Sequence, residues 1–345
     1  MNVKKDDFIV FSAENSKKKE QIRHKWYIFV TNYGRVHSNE KQNKERMTII
    51  NHDKCPLCRS KAIRKRFACT DHFATGEAFD IYECTDCHFV FTQNIPDENE
   101  IGKYYESPTY ISHSNTSKGI TNKLYHLVRG IMLRSKTNLV ERLTLLKNGK
   151  ILDYGAGTGY FARAMVKKGW DVTAIEKSEN ARELAKKEYG FEMHPIEALA
   201  NIKDRELDVV TMWHVMEHIQ DLDKMWSELY RILDDTGIAI IAVPNCQSYD
   251  ARRYGEHWAA YDTPRHLWHF TASTIMSWGE KHGFLLERQR TMPFDGFYIS
   301  MLSEKNKGSR LHTIKGFWNG FKGWLAQAKS RSASSSIIYV FRKRR

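Results

Sequence analysis

The sequence lacks any unbroken apolar stretch near the roughly 18 residues that a membrane-spanning helix requires. Its first sixteen residues also lack the apolar run of a secretory signal, because Lys and Asp interrupt them. With 41% apolar residues, the 345-residue chain can still bury one full α/β core and a smaller module. We therefore expect a soluble, cytoplasmic protein.

The positive charge is unevenly distributed, although the net charge is +13. Residues 1–46 hold eleven Lys or Arg against six Asp or Glu, and residues 301–345 hold eleven against one. The remaining residues, 47–300, carry a net charge of −2. A nucleic-acid footprint is a basic stripe on the working face of a protein. The near-neutral centre therefore argues against nucleic acid as a partner.

Four of the six cysteines form two Cys-x-x-Cys pairs, Cys55/Cys58 and Cys84/Cys87. In a reducing compartment such close pairs point to metal binding rather than to disulfides. Four thiolates can bind one zinc ion tetrahedrally. A module of this size has too small a hydrophobic core to fold without a cross-link such as a bound metal ion. We predict a zinc-ribbon-like module with a structural Zn²⁺ over residues 47–100. Free thiols are the alternative.

The rest of the chain divides by composition. Residues 1–46 are polar and predict a disordered extension. Residues 101–148 predict a helical connector, since apolar residues recur at helical intervals in its second half. Over residues 149–345, apolar strands alternate with helices, which predicts a doubly wound α/β domain with a mostly parallel sheet.

The segment Asp153–Gly159 (DYGAGTG) leaves a predicted strand and opens a predicted helix. Its glycines allow a tight turn and a close backbone approach to a ligand, and Glu176 ends the next strand, where a carboxylate can accept ribose hydroxyls. A dinucleotide loop would carry Gly or Ala where Tyr160 stands, and no Gly-Lys-Ser/Thr of a nucleoside triphosphate loop follows. A ligand-free packing loop and an NAD-dependent enzyme are the alternatives.

Residues 145–245 resemble the class I S-adenosylmethionine (SAM)-dependent methyltransferases. The matching motifs are DYGAGTG at 153–159, Glu176, LDVVTMWHVMEH at 207–218 and AVPN at 242–245. The resemblance implies a seven-stranded sheet with a reversed last hairpin. Residues 284–290 and 337–341 would be its sixth and seventh strands.

The resemblance also implies which residues bind the cofactor. Asp153 and the glycine loop would hold the methionine moiety of SAM, and Glu176 would hold the ribose. Residues after the third strand would flank the adenine, and residues at the end of the fourth strand would lie along the cofactor. The implied set is Asp153, Tyr154, Gly155, Ala156, Gly157, Gly159, Glu176, Ile196, Glu197, Trp213 and His214.

The combination of an N-terminal cysteine-rich module with this fold resembles the sugar C-methyltransferases and the zinc-bearing enzymes of bacterial surface-polysaccharide clusters. The resemblance implies a small polar acceptor, such as a sugar or nucleotide-sugar, methylated on oxygen or carbon. In the sugar C-methyltransferases a Tyr-x-x-His pair follows the fifth strand. His266 matches that histidine, whereas Thr263 stands at the tyrosine position and Tyr261 lies close by.

The general base should follow the fourth or fifth strand, at the carboxyl edge of the sheet. The candidate catalytic residues are His266, Tyr261 and His218. The alternative for His218 is that Glu217-His218 is ordinary sequence at this turn of the family. The alternative for His266 is a role in organising the loop.

Apolar residues recur at helical spacing over residues 311–329, with lysines among them. This pattern predicts either an interfacial helix that makes peripheral contact with an anionic membrane or a helix packed on the domain. A zinc-ribbon adaptor that binds protein or RNA through a degenerate methyltransferase body is the alternative to an enzyme.

Overall fold

The computed structural model describes residues 49–97, 100–105 and 120–344, with the backbone alone for 120–127. The predicted polar extension 1–46 lies outside the described residues. Within the described ranges, every helix is too short or too polar to cross a lipid bilayer.

The first described segment is built from short antiparallel strands. They are β1 Ile49–Ile50, β2 Ile63–Thr70, β3 Ala78–Cys84, β4 Val90–Gln93 and β5 Ile95–Pro96. Strand β1 pairs with β5, and β2, β3 and β4 form a meander. Both Cys-x-x-Cys pairs sit in turns beside this meander, as the sequence predicts.

A long helix and an alternation of strands and helices follow. In chain order they are α1 Ile120–Thr144, β6 Lys150–Tyr154, α2 Tyr160–Val166, β7 Asp171–Ile175, α3 Glu179–Tyr189, β8 Leu207–Trp213, α4 Leu222–Ile232, β9 Leu233–Pro244, α5 Tyr249–Tyr254, β10 Trp268–His269, α6 Ala272–Lys281, β11 Phe284–Thr291, α7 Asp295–Asn306, α8 His312–Lys329 and β12 Ser336–Lys343. Helix α4 begins after Asp221, whose carboxylate caps the helix by accepting from the amide of Lys224 at 2.9 Å.

The main sheet has the strand order β11-β12-β9-β8-β6-β7. Strands β7, β6, β8 and β9 run parallel, and β12 pairs antiparallel with both β9 and β11. The described sheet therefore has six strands, and the predicted seven-stranded sheet is not confirmed. Residues 191–194, which follow α3, contribute one parallel bridge to the sheet edge, between His194 and Ile175.

The strands are nearly continuous in apolar residues because both faces of the sheet are covered. Ile151, Val209 and Ile238 belong to the core beneath α1 and α2, whereas their neighbours Leu152 and Val210 belong to the core beneath α4 and α6. This alternation follows from the two-residue period of a strand. The reversed hairpin of β11 and β12 closes one side, as the resemblance implies.

The cysteine-bearing meander joins the rest of the fold through a strand from far along the chain. Trp268 and His269 of β10 pair antiparallel with Phe91 and Val90 of β4. Phe89 then lies 6.0 Å from Trp268 between ring centroids and is fully buried. The loop that the sequence assigns to the acceptor side is therefore anchored on the cysteine-bearing segment.

Candidate active site

The glycine loop turns tightly between β6 and α2. Gly155, Gly157 and Gly159 all have positive φ, at 75°, 56° and 75°. A Cβ on Gly155 would lie 2.4 Å from Cγ2 of Val215, so no other residue fits there without movement. A Cβ on Gly157 would meet nothing within 4 Å. The loop therefore presents bare backbone to an open space.

Glu176 faces this loop from the end of β7. Its Oε2 accepts from the amide of Gly157 at 2.7 Å, and its Oε1 accepts from the amide of Ser178 at 2.9 Å. The side chain of Arg182 donates to the backbone carbonyl of Glu176 at 2.7 Å. These contacts hold the carboxylate in one orientation beside the glycine backbone, where the sequence predicts it.

Asp153 is buried at the end of β6 and accepts a hydrogen bond of 2.9 Å from the hydroxyl of Thr211. Burial raises the pKa of Asp153 to about 7, although the Thr211 hydrogen bond and the Lys136 charge work against the increase. The carboxyl group therefore changes charge near neutral pH. A cationic ligand would stabilise its ionised form.

Lys136 and Asp295 belong to this site but were missed from the sequence. The ammonium of Lys136 on α1 lies 4.2 Å from the centroid of the Trp213 ring. Burial lowers the pKa of Lys136, and the charges of Asp295 and Asp153 oppose that change. Lys136 falls in the core-facing stripe that contains Leu133 and Val140, so a lysine within an apolar stripe was the available signal. Nothing in the sequence around Asp295 marks it.

His214 follows β8 with a positive φ of 59° and lies between two carboxylates. Its Nε2 is 3.1 Å from Oδ2 of Asp295, and its Nδ1 is 3.4 Å from Oε1 of Glu217. Burial alone would lower the pKa of His214, but the contacts with Asp295 and Glu217 outweigh it and raise the pKa to about 9. The imidazole is therefore cationic at neutral pH.

His218 and His266 come together from the β8 and β9 sides of the fold. Their ring centroids are 4.5 Å apart in an edge-to-face arrangement. Nδ1 of His218 lies 2.9 Å from the carbonyl of Arg265, and Nδ1 of His266 lies 2.8 Å from the carbonyl of Ala260. Burial and the neighbouring His266 lower the pKa of His218 to about 4, so this imidazole is neutral.

Tyr261 has a different environment from the two histidines. It is 3% exposed and belongs to a hydrophobic cluster with Cys246, Tyr254 and Trp258. Its ring makes edge contacts with Trp258 and His269, and burial raises the pKa of its hydroxyl above the ordinary range. These surroundings favour a packing role over proton transfer.

The other residues of the implied cofactor set line the same edge. Tyr154 is buried in the main core, and Ala156 packs against the cluster of Ala162 and Met193. Ile196 and Glu197 begin a short 3-10 helix after the bridge at His194. The structure thus places these residues around the carboxyl ends of β6, β7 and β8. A separate cleft of about 220 Å³ between α1 and the last hairpin contains none of them.

The four paired cysteines form a second cluster, apart from the glycine loop. Sγ of Cys55 lies 3.5 Å from Sγ of Cys87, and Sγ of Cys58 lies 3.6 Å from Sγ of Cys84. All four sulfur atoms lie within 4.8 Å of one another, and none is in a disulfide. The two turns match, because the amide of Arg59 donates to the carbonyl of Cys55 just as that of His88 donates to Cys84.

Helix α8 packs on α7 through its glycines. Gly316, Asn319 and Gly320 are buried, and a Cβ on Gly320 would lie 2.6 Å from the Cα of Phe297. The opposite face is exposed. Its large apolar members are Leu311, Ile314, Phe317, Trp318, Trp324 and Leu325. The apolar residues that recur at helical spacing therefore face solvent, whereas α8 contacts α7 through its small residues.

Comparison with known proteins identifies the class of this domain. Residues 128–289 match the family model described as a methyltransferase domain. Together with the glycine loop and the sheet, this match confirms the predicted SAM-dependent methyltransferase domain.

Among curated proteins, the ubiquinone biosynthesis O-methyltransferase of Rickettsia canadensis is 28% identical over 158 residues, which is 43% of this chain and 64% of that protein. The protein of the same name from Pelagibacter ubique is 31% identical over 105 residues, which is 29% of this chain and 44% of that protein. The chain therefore spans less than two thirds of these curated relatives.

Solved structures show more distant likeness. Phosphoethanolamine N-methyltransferase 2 of Haemonchus contortus, solved with SAM, has a TM-score of 0.45 and 17% identity over 80% of this chain and 72% of that chain. A cyclopropane synthase of Mycobacterium tuberculosis has a TM-score of 0.42 and 15% identity over 60% of this chain and 82% of that chain.

Proposed function

We propose that this protein binds SAM at the glycine loop and transfers its methyl group to a small polar acceptor. The observation that carries the proposal is the open backbone at Gly157 beside the oriented carboxylate of Glu176. The residues fit the cofactor, because Asp153 can ionise beside a cationic methionine moiety and Glu176 can accept ribose hydroxyls. The indole N–H of Trp213 is buried without an acceptor among the described residues, so it is available to a ligand oxygen.

When bound, SAM supplies an already activated methyl group, so the protein must align the acceptor and deal with its proton. His218 and His266 lie beside one another at the carboxyl edge of the sheet and are suited to an acceptor hydroxyl. Lys136 over Trp213 adds a cation that can orient an anionic group of either ligand. The curated relatives are named as O-methyltransferases, which supports a hydroxyl acceptor. A sugar or nucleotide-sugar is the acceptor class that we propose.

The experiment is a calorimetric titration with SAM, followed by incubation with methyl-labelled SAM and a panel of sugar nucleotides. We expect measurable binding and label transfer to one member of the panel. If SAM produced no heat of binding at millimolar concentration, the proposal would be rejected. An adaptor with a degenerate body would also fail to bind SAM, and the intact chemistry of the glycine loop counts against it. Fluorescence of bound NADH would instead indicate an NAD-dependent enzyme.

We also propose that the four cysteines bind a structural zinc ion. Zinc–sulfur bonds of about 2.3 Å in a tetrahedron separate the sulfur atoms by about 3.8 Å, close to the observed 3.5 and 3.6 Å. Four protein ligands close the coordination shell, so the ion would have no position for a substrate. Cysteines that form no disulfide suit a reducing compartment, which supports a cytoplasmic location.

The exposed face of α8 supports peripheral contact with an anionic membrane surface. Ile314 is 69% exposed, and Phe317 and Trp318 are each 57% exposed. No Asp or Glu occurs in residues 305–345, whereas Lys315 and Lys322 accompany the apolar face. Aromatic residues with lysines and no acids match a negatively charged lipid surface better than a neutral protein partner. We propose that this helix lies in the headgroup region.

A further inference from the structure

A second group of metal-ligating side chains lies at the acceptor side of the site. Glu217, His218 and His266 each offer a ligand atom, and these atoms lie within 4.8 Å of one another. In the described part of the chain, this group and the four-cysteine cluster are the two sets that lie so close together. The two sets differ in chemistry, because one offers four sulfurs and the other offers two nitrogens and a carboxylate.

Both imidazoles are held by backbone carbonyls at Nδ1. The carbonyl of Arg265 lies 2.9 Å from Nδ1 of His218, and the carbonyl of Ala260 lies 2.8 Å from Nδ1 of His266. A carbonyl can only accept, so in the neutral rings each Nδ1 carries the proton and each Nε2 has the lone pair. The hydroxyl of Tyr105 also lies 3.1 Å from Nδ1 of His218. Oδ2 of Asp262 lies 3.7 Å from Nε2 of His266, and its negative charge would favour a cation at that nitrogen. Metal-binding histidines are typically fixed in this way, with the second nitrogen donating to a carbonyl or carboxylate. The backbone of the loop therefore sets the tautomer that a metal ion requires.

Glu217 supplies a buried carboxylate whose oxygens can accept further hydrogen bonds or bind a cation. Its side chain has no exposed surface, and neither oxygen accepts a well-directed hydrogen bond among the described residues. The nearest cation is His214, whose Nδ1 lies 3.4 Å from Oε1 of Glu217. An ionised carboxylate removed from water destabilises a protein unless further positive charge or donors compensate. A cation bound at Nε2 of His218 and at Nε2 of His266 would provide that charge.

We propose that Glu217, His218 and His266 bind one divalent transition-metal ion, of the kind represented by Mn²⁺, Fe²⁺ or Zn²⁺. Two imidazoles and one carboxylate suit these ions, whereas Mg²⁺ and Ca²⁺ favour oxygen ligands throughout. Bonds of roughly 2.0–2.2 Å place neighbouring ligand atoms about 3 Å apart, so binding would draw the three side chains together. Three protein ligands leave positions open for an acceptor oxygen.

The role of this ion in catalysis rests on the proposed methyltransferase function. An acceptor hydroxyl on a divalent ion has a lowered pKa. Its proton passes to solvent, the oxygen–methyl bond forms, the sulfur–methyl bond of SAM breaks, and S-adenosylhomocysteine leaves. His218 and His266 would then act on the acceptor through the ion rather than as bases. Binding of the ion itself does not depend on this step.

The test is a titration of the full chain with Mn²⁺, followed by electron paramagnetic resonance of the free ion. Mn²⁺ is chosen because a four-thiolate site disfavours it. We expect one tightly bound Mn²⁺ per chain in the wild type, and at least tenfold weaker binding in Glu217→Gln and in His266→Ala. His282→Ala is the matched control and should bind like the wild type, since His282 pairs with Asp223 on another part of the surface.

Thermal unfolding and SAM titration are measured on the same variants. If His266→Ala remains folded and still binds SAM, its loss of Mn²⁺ binding is due to the missing imidazole and not to unfolding. Failure of wild-type protein to bind Mn²⁺, Fe²⁺ or Zn²⁺ outside the cysteine cluster would overturn the proposal, as would equal Mn²⁺ binding by Glu217→Gln. Metal binding without SAM binding would leave this site standing and reject the methyltransferase function.

Discussion

The backbone amide of Gly157 donates a hydrogen bond of 2.7 Å to Oε2 of Glu176, which joins the glycine loop to the end of the next strand. A second amide, that of Ser178, binds the other oxygen. Both oxygens are therefore oriented by backbone groups and keep lone pairs for a ligand. The orientation of the carboxylate is therefore fixed by the protein in the absence of a ligand.

Replacing Glu176 tests whether this oriented carboxylate binds SAM. Glu176→Gln keeps the size of the side chain but removes the charge, and hydrogen bonds to charged groups contribute about 1.5–3 kcal/mol. We expect the Kd for SAM to rise about 10- to 100-fold in calorimetry. Glu192→Gln, which removes an exposed carboxylate paired with Lys186, should leave the Kd unchanged. Equal affinities for wild type and Glu176→Gln would contradict the assignment.

Asp153 predicts a dependence of stability on pH. Its folded-state pKa of about 7 exceeds the ordinary value of 3.8, so the folded state binds the proton more tightly than the unfolded state does. This contribution to stability is present below about pH 4 and is lost as the pH rises towards 7. The difference between the two values corresponds to about 4 kcal/mol as an upper limit.

The neutral variant Asp153→Asn lacks this titration. The Tm of the variant minus the Tm of the wild type should therefore increase between pH 5 and pH 8 in thermal unfolding. Addition of SAM to the wild type should release protons near pH 6.5, which calorimetry detects as an enthalpy that depends on the buffer. A Tm difference that stays flat across this range would show that Asp153 does not titrate there.

The cysteine cluster predicts a metal-dependent fold. Cys58→Ser removes one of four thiolates, so bound zinc should fall well below one per chain and the Tm should fall with it. Cys69→Ser is the matched control, because Cys69 is a buried cysteine outside the cluster. Substitution with Co²⁺ should give a thiolate charge-transfer band in wild type and Cys69→Ser. Full zinc content in Cys58→Ser would argue against a four-cysteine site.

The exposed face of α8 predicts vesicle binding. The wild type should sediment with phosphatidylglycerol vesicles and much less with phosphatidylcholine vesicles, since each lysine near an anionic surface contributes about 1 kcal/mol. The double variant Phe317→Ser/Trp318→Ser should lose this binding while the protein stays folded, because both side chains are more than half exposed. A small fall in Tm is expected, since the ring of Phe317 contacts Phe297 and that of Trp318 stacks on Phe321. Binding that ignores lipid charge, or a dimer in sedimentation velocity, would instead assign the face to another partner.

The glycines of α8 predict opposite effects for the same substitution. Gly320→Ala places a Cβ 2.6 Å from the Cα of Phe297, so overpacking should cost about 1–3 kcal/mol of unfolding free energy. Gly323→Ala meets only the ring of Tyr249 at 3.4 Å and should gain up to about 1 kcal/mol from helix propensity. Denaturant unfolding of the two variants measures both changes. Equal effects would mean that α8 does not dock through Gly320.

Features that depend on neighbours in the chain were predictable from the sequence. The glycine loop and the paired cysteine turns each need only a few consecutive residues with particular backbone freedom or side-chain chemistry. The apolar strands were also predictable, because burial on both faces leaves a continuous signal. The bridge between His194 and Ile175 lacks such a signal, because one pairing at the sheet edge leaves no repeated pattern in the composition.

The sequence by itself thus determined the class of domain, the glycine loop and the cysteine pairs, because each of these depends on a short motif. Only the tertiary structure decided that His218 meets His266, that Lys136 covers Trp213, and that β10 attaches the acceptor loop to the cysteine-bearing meander. Each of these contacts joins residues far apart in the chain. Strand order and helix packing bring such residues together, and no local pattern carries that information.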